Sequence, residues 1–476
     1  MKKLILSVGA VLLAVALVLF FIIRKPSNGY LNVLPQDAKA LLRLNLASLV
    51  NELGIDEKEA RQLFEKWQMD ALGVDLTQPS YGFVSRDGFF GMVIPVQKEA
   101  QLKKFLEQNG QEVENQRGFH WTAHESWLVC FDESKCLVMG PASTGEMGPL
   151  RNQMYALMSQ RRHQVDALSK LDQVAGSVAL LANLDVVPQV YSSFLHNLLP
   201  KDVDLSEVAL CSGLTLDSRT LVLENKLLSE NKNVLNNFQV LNELAHPIQG
   251  EMVRYRPESP FLFATANIEG EKLLELLRKD KKIRRTLLGL NMVVDADLMI
   301  RSMQGDVAFT MPRLSIQNPE FLFCGNLAKQ DFLRNVESWK TGLANSFGVQ
   351  FRVLRDHDFF LKAGSKSGYF GVRDKKLYLT TSQALADEAV RPATNPYLEQ
   401  TLSSMQACKL FITLDVQQAL QALAPFALMM GAQPQAYEAV DALERLELFS
   451  SDLSGFTLKV KTRKEIKDII SSLSEK

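Results

Sequence analysis

Six histidines are the first place to look for proton transfer or metal binding: His120, His124, His163, His196, His246 and His357. His120 and His124 stand four apart, a spacing that serves one metal ion only on a helix. Gly118-Phe119-His120-Trp121-Thr122-Ala123-His124 instead carries strand-forming residues, and four residues of strand span roughly 13 Å. The pair is therefore not expected to share an ion. Asp356-His357-Asp358 sets an imidazole between two acids, but neighbours on a strand point to opposite faces. It reads as a polar loop entering the strand Phe359-Phe360-Leu361. Asp295, Asp297 and Asp306 would make a carboxylate site if they converged, and otherwise read as solvated turn acids. Gly368-Tyr369-Phe370-Gly371 belongs to a hairpin strand rather than a phosphate cradle. The spacings of a nucleophile elbow, a zincin helix, a P-loop and an EF-hand do not occur. No residue is assigned as catalytic, cofactor-binding or metal-ligating, no cofactor is implied, and the balance leans away from an enzyme.

The five cysteines, Cys130, Cys136, Cys211, Cys324 and Cys408, include no C-x-x-C pair, so neither a zinc ribbon nor a thioredoxin-like site is supported. Cys130 and Cys136 flank Phe131-Asp132-Glu133-Ser134-Lys135. If that segment turns a hairpin, the two could face each other as a disulfide in an oxidising compartment; two small buried side chains are the favoured reading. The densest basic run, Arg278-Lys279-Asp280-Lys281-Lys282-Ile283-Arg284-Arg285, reads as one solvated helix face, with contact to acidic lipid as the competing reading. Residues 419–432, ALQALAPFALMMGA, are too few to span a bilayer. They read as a core helix, with a partner-binding surface carrying Met429 and Met430 as the alternative.

The elements that would position any site hang from residues Leu4 to Ile23, which carry no charge and a single clearly polar side chain, Ser7. A helix of about 20 residues rises roughly 30 Å, the thickness of a bilayer's hydrocarbon core. A cleaved secretory signal ends in small residues. Here Val18 to Ile23 fill that place and Arg24-Lys25 follow, which favours an uncleaved anchor over residues 1–25. Residues 26–29 form a tether. A short N-terminal tail ahead of one large body favours export, making a single-pass membrane protein with its body outside the cytoplasm, on the periplasmic side of an inner membrane. The chain of 476 residues is 46% hydrophobic and 22% charged, with 53 Lys plus Arg against 54 Asp plus Glu. That composition can bury real cores, and the balance excludes a general nucleic-acid binder, which needs a basic face.

Along the body, strand and helix patterns run twice in the same order. Ala38 to Leu46 reads as a strand feeding a helix, Ser80 to Val96 as a hairpin turning at Arg86-Asp87-Gly88, and Lys98 to Asn109 as a helix. Gly118 to Met139 is again a hairpin, Pro141 to Pro149 a loop, Gly176 to Asp185 a strand, Glu207 to Leu227 paired strands and Asn233 to Leu244 a helix. Phe261 to Ile268, Phe321 to Asn326, Gly368 to Thr380, Lys409 to Val416 and Leu446 to Lys461 repeat the order, with Leu-Asp-Val at 184–186 and at 414–416. The displacement of about 220 residues implies a tandem duplication. The expected fold is α+β: two tandem-duplicated lobes, 30–250 and 258–476, of mostly antiparallel sheet with helices on one face, after one N-terminal transmembrane helix.

The opening Leu34-Pro35-Gln36-Asp37-Ala38-Lys39-Ala40-Leu41-Leu42-Arg43-Leu44-Asn45-Leu46 and the segment Leu72-Gly73-Val74-Asp75-Leu76-Thr77-Gln78-Pro79 ahead of a strand resemble a bacterial envelope family catalogued as a domain of unknown function. The resemblance spans most of the chain after the anchor. It implies an envelope compartment and a repeat architecture, and no activity. Members often look like lipoproteins, with a cysteine just after the apolar core of the signal; this chain has none before Cys130, so a peptide anchor must replace the lipid. The expected role is binding or scaffolding of another envelope protein or polymer. The alternative is an envelope hydrolase with carboxylates gathered from distant loops, since glycosidase acids are not bound to a motif.

Overall fold

A computed structural model describes residues 28–56, 58–59, 72–160, 166–188, 199–200, 202–254, 260–292, 294–315, 319–388, 399–421 and 441–474. The anchor reading at Leu4 to Ile23 lies outside these residues, as does most of the apolar stretch 419–432. Among the described residues no helix is long and apolar enough to cross a membrane. The fold mixes α and β, and its strands pair antiparallel in two units. One unit holds the described residues up to Val234 together with those from Lys464; the other runs from Leu235 to Arg463.

The first unit contains β1 (Ala40–Leu44), β2 (Ser80–Val84), β3 (Phe90–Pro95), β4 (Glu114–Gln116), β5 (Phe119–His124), β6 (Trp127–Phe131), β7 (Lys135–Gly140), β8 (Val178–Asn183), β9 (Val208–Asp217) and β10 (Thr220–Ser229). Their order across the sheet is β4-β5-β6-β7-β3-β2-β1-β8-β9-β10. Local chemistry sets the breaks. Gly88 takes the positive φ of 89° in the turn after β2, which a glycine adopts without strain. Asn45 ends β1 and accepts the Ser48 N–H, capping the helix Leu46–Glu52. Where one hairpin was expected over 118–139, three strands form a meander.

Helices cover both faces of this sheet rather than one. Leu41, Phe83, Val93 and Leu137 face Leu150, Met154 and Leu157 of the helix Met147–Met158. Leu44, Ile94 and Cys136 face the opposite way, against Leu49 and Val50 of Leu46–Glu52 and Leu102 of Glu99–Gln108. Central strands with apolar residues at successive positions, such as Ala40-Leu41-Leu42, have two faces to bury. The helices Met147–Met158 and Asp166–Asp172 were not anticipated; the expected loop 141–149 yields its last three residues to the first of them.

The second unit contains β11 (Ala245–His246), β12 (Leu262–Glu269), β13 (Met303–Met311), β14 (Leu322–Leu327), β15 (Gln350–Arg355), β16 (Asp358–Ala363), β17 (Lys366–Arg373), β18 (Lys376–Thr380), β19 (Leu410–Asp415), β20 (Leu443–Ser450) and β21 (Gly455–Thr462). Apart from the two-residue β11 beside β12, their order is β15-β16-β17-β18-β14-β13-β12-β19-β20-β21. Strand for strand, this is the order of the first unit.

The helix after the final hairpin of each unit is where sequence order and packing diverge. Lys232–Leu244 follows β10, yet from Leu235 onward it packs within the second unit: Asn242 Oδ1 accepts the Leu453 N–H at 2.9 Å and its backbone carbonyl accepts from Lys409 Nζ at 2.7 Å. Ile466–Ser474 follows β21, yet belongs to the first unit. There the Ile466 N–H donates to the Ser218 carbonyl at 2.8 Å, and Ile466 and Ile470 pack with Leu216 and Leu221.

Candidate binding face

Each chemistry-bearing residue singled out from the sequence has a described local role or lies outside the described residues. His120 and His124 lie on β5, as the strand reading requires. His120 Nε2 stands 3.0 Å from Glu99 Oε1, its ring lies 5.0 Å from that of Phe131, and its Nδ1 is buried without a partner among the described residues. His124 Nδ1 meets Gln111 Nε2 at 3.2 Å. His357 occupies the turn before β16 at a φ of 61°, and His163 and His196 fall outside the described residues.

The aspartates correct the expectation of solvated turns. Asp306 sits within β13 with none of its surface exposed, and its two oxygens accept the backbone N–H groups of Gln249, Gly250 and Glu251 at 3.0, 2.6 and 3.1 Å. Burial raises its pKa above the ordinary Asp value, against the pull of those three donors. Asp295 accepts from Trp339 Nε1 and Asn335 Nδ2 at 3.0 and 2.7 Å, while Asp297 pairs with Arg278. The three carboxylates thus serve separate neighbours. Asp358 is the buried first residue of β16, where Arg373 and Tyr378 hold it. Burial, and then the bond to Asp358, raise the Tyr378 phenol. Gly371 leaves this cluster its room, because a Cβ there would lie 2.6 Å from Asp358 Oδ1.

All five cysteines are free. In the β6–β7 register Cys130 stands opposite Leu137 and Cys136 opposite Phe131, so the two thiols point to opposite faces of the sheet. Cys130 packs with Trp121 and Leu128, Cys136 with Leu102 and Phe131. A disulfide between them is ruled out by that placement.

A different feature emerges only from the register. In the second unit Leu379, Phe323, Phe309, Ala264, Ile412, Leu448 and Leu458 are directly paired from strand to strand. Paired residues share a face, so they make one unbroken apolar row across seven strands. Leu379 is 40% exposed and the other six are half-buried. On the opposite face Phe263, Phe411, Cys324 and Tyr378 are at most 2% exposed. The row's own face is closed at one end, where Phe323 packs with the buried Leu327, Leu377 and Trp339, and is half-buried along the rest of the row.

The first unit repeats the row at the corresponding strands, through Phe90, Val84, Ala40, Ala182, Leu210 and Leu227, but there Ala40, Ala182 and Leu227 are buried and the exposed part is confined to the end at Phe90. Phe90 is 56% exposed, and Leu42, one position along on the same face, is 37% exposed. Contiguous apolar surface of this kind marks interaction sites on folded proteins. The sequence analysis missed it because no single strand contains more than one or two of its residues. The strand alternation was visible; the pairing was not.

Comparison with curated proteins finds no match. Among solved structures, crystal form III of TP0453 is 17% identical, with 45% of this chain and 87% of that one covered at a TM-score of 0.29. Crystal form IV of the same protein is 14% identical, with 42% and 83% covered at a TM-score of 0.28. At these TM-scores the likeness supports no statement about role. The family model described as Domain of unknown function (DUF4836) matches residues 61–443, well over half the chain, and the chain belongs to that family.

Proposed function

We propose that this is a membrane-anchored, exported envelope protein that acts by binding, its body made of two tandem copies of one α+β module, each offering an apolar sheet face to another envelope protein or polymer. The observation that carries the binding reading is the registered apolar row from Leu379 to Leu458 in the second unit, with the exposed Phe90 and Leu42 on the equivalent face of the first. Duplication is supported by the common strand order and by the Leu-Asp-Val sequence at matching places. Anchoring is supported by the uncharged run Leu4 to Ile23 with Lys2, Lys3, Arg24 and Lys25 around it.

Two experiments test the reading. A photo-crosslinking residue placed at Phe90 or Leu379 in intact cells should capture a recurrent envelope partner, while the same residue at the exposed Lys104 should not. Captures no richer than at Lys104, together with turnover of a glycan or peptide by the purified protein, would sink the binding role. Separately, the chain should stay with the membrane after alkaline carbonate extraction. Release into the supernatant would remove the anchor.

A further inference from the structure

Asp280 divides the basic run into two helices. It has extended backbone, ψ 125°, between Gly270–Lys279 and Lys281–Asn291, and its carboxylate accepts the N–H groups of Lys282 and Ile283 at 2.8 and 3.0 Å. That correction to the single helix face expected from sequence changes what the second helix presents. Lys281, Arg285, Leu288 and Met292 recur at i, i+4, i+7 and i+11, which places them in one stripe. All four are exposed, Leu288 at 63% and Met292 at 86%. Leu287, a buried residue, faces away from the stripe and fixes the helix to its unit. Arg278 is taken by Asp297, but among the described residues no carboxylate pairs with Lys281, Lys282, Arg284 or Arg285.

From this geometry we propose that the helix Lys281–Asn291 docks on the surface of an anionic lipid bilayer. The stripe grades along its length from cations to large apolar side chains. These cations complement a layer of lipid phosphates, and Leu288 and Met292 on the same stripe can enter the boundary between headgroups and acyl chains. An acidic protein surface would match the cations but would leave the two most exposed apolar residues of this unit without a reason to be there. The proposal does not depend on the N-terminal anchor.

The test uses the full chain with Cys211→Ser and Met292→Cys, labelled at residue 292 with an environment-sensitive fluorophore, and a matched protein labelled at Lys104→Cys. Each is mixed with vesicles of phosphatidylcholine alone or with phosphatidylglycerol added. The expected result is a blue shift at residue 292, quenched by lipid-borne quenchers, only when phosphatidylglycerol is present. High salt should reverse it, and combined Lys281→Glu, Lys282→Glu, Arg284→Glu and Arg285→Glu should weaken the phosphatidylglycerol-dependent response by roughly 1,000-fold. Equal emission in both vesicle types, or an equal shift at residue 104, would overturn docking by this helix. Flotation on phosphatidylcholine vesicles reports the anchor separately: a chain that fails to float there but still shifts at residue 292 with phosphatidylglycerol loses the anchor and keeps this site.

Discussion

Asp358 grips Arg373 with both carboxylate oxygens: Nε lies 3.1 and 3.2 Å from Oδ1 and Oδ2, and Nη2 lies 2.7 Å from Oδ2. The remaining valences are filled, since Tyr378 donates to Oδ1 at 2.8 Å and Arg373 Nη1 donates to the Ala386 carbonyl at 2.9 Å. Burial alone would lower the Arg373 pKa, and Asp358 together with Tyr378 more than reverses this. Arg373→Met leaves a buried carboxylate with only a phenol for company, and should destabilise the second unit by about 3–5 kcal/mol. Asp358→Asn should cost less than Arg373→Met. Urea unfolding followed by the fluorescence of Trp339, which lies in the same unit, measures the difference.

Opposed placement of Cys130 and Cys136 gives a second expectation. Burial pushes the Cys136 thiol up to about 12 and raises Cys130 further, so neither should react while the protein is folded. Protein taken from an oxidising compartment, denatured and alkylated, should show all five thiols by mass spectrometry. Loss of two protons' mass across the 130–136 peptide would contradict the register.

Alkaline stability follows from three buried phenols. Burial, with the Asp172 carboxylate next in effect, pushes Tyr81 up to about 12; burial likewise raises Tyr30 and Tyr378. An unfolded phenol titrates near 10. Between pH 10 and 12 the folded chain keeps protons that the unfolded chain releases, so stability is full below about pH 10 and falls as pH rises through 12. Phenolate absorbance should therefore appear in two stages, the later one coinciding with loss of structure. A single stage near pH 10 with the fold intact would contradict the burial of these rings.

Removing residues 464–476 should damage the first unit and spare the second. Ile466 and Ile470 help close the core around Leu216 and Leu221, and Ile466→Ala alone should cost about 2–3 kcal/mol. Hydrogen exchange in the truncated chain should quicken over β9 and β10, with β12 and β13 unchanged.

Strands were legible because alternation is a local pattern. Phe263-Ala264-Thr265-Ala266 shows it plainly, with positions 263 and 265 buried and 264 and 266 half-buried. Turns were legible where a glycine or an aspartate marked them, as at Gly88. Asp306 and Asp358 were misread because an acid in a strand looks like a turn until its partners, distant in sequence, are known: the donors to Asp306 come from residues 249–251 and the cation beside Asp358 is Arg373. Asp280 was passed over for the opposite reason. Surrounded by helix-forming cations, it gave no sign that its carboxylate would start a new helix. Helix Met147–Met158 opens with Gly148 and Pro149, residues that signal a loop except in a first turn.

The helix Ile466–Ser474, placed in sequence after the second unit, also sets a timetable. A ribosome makes the strands of the first unit early, and N-terminal domains ordinarily finish folding while the rest of the chain is still being made. Here the piece that closes one flank of the earlier core is made only after every strand of the second unit, so the first unit stays incomplete until that whole stretch has left the ribosome.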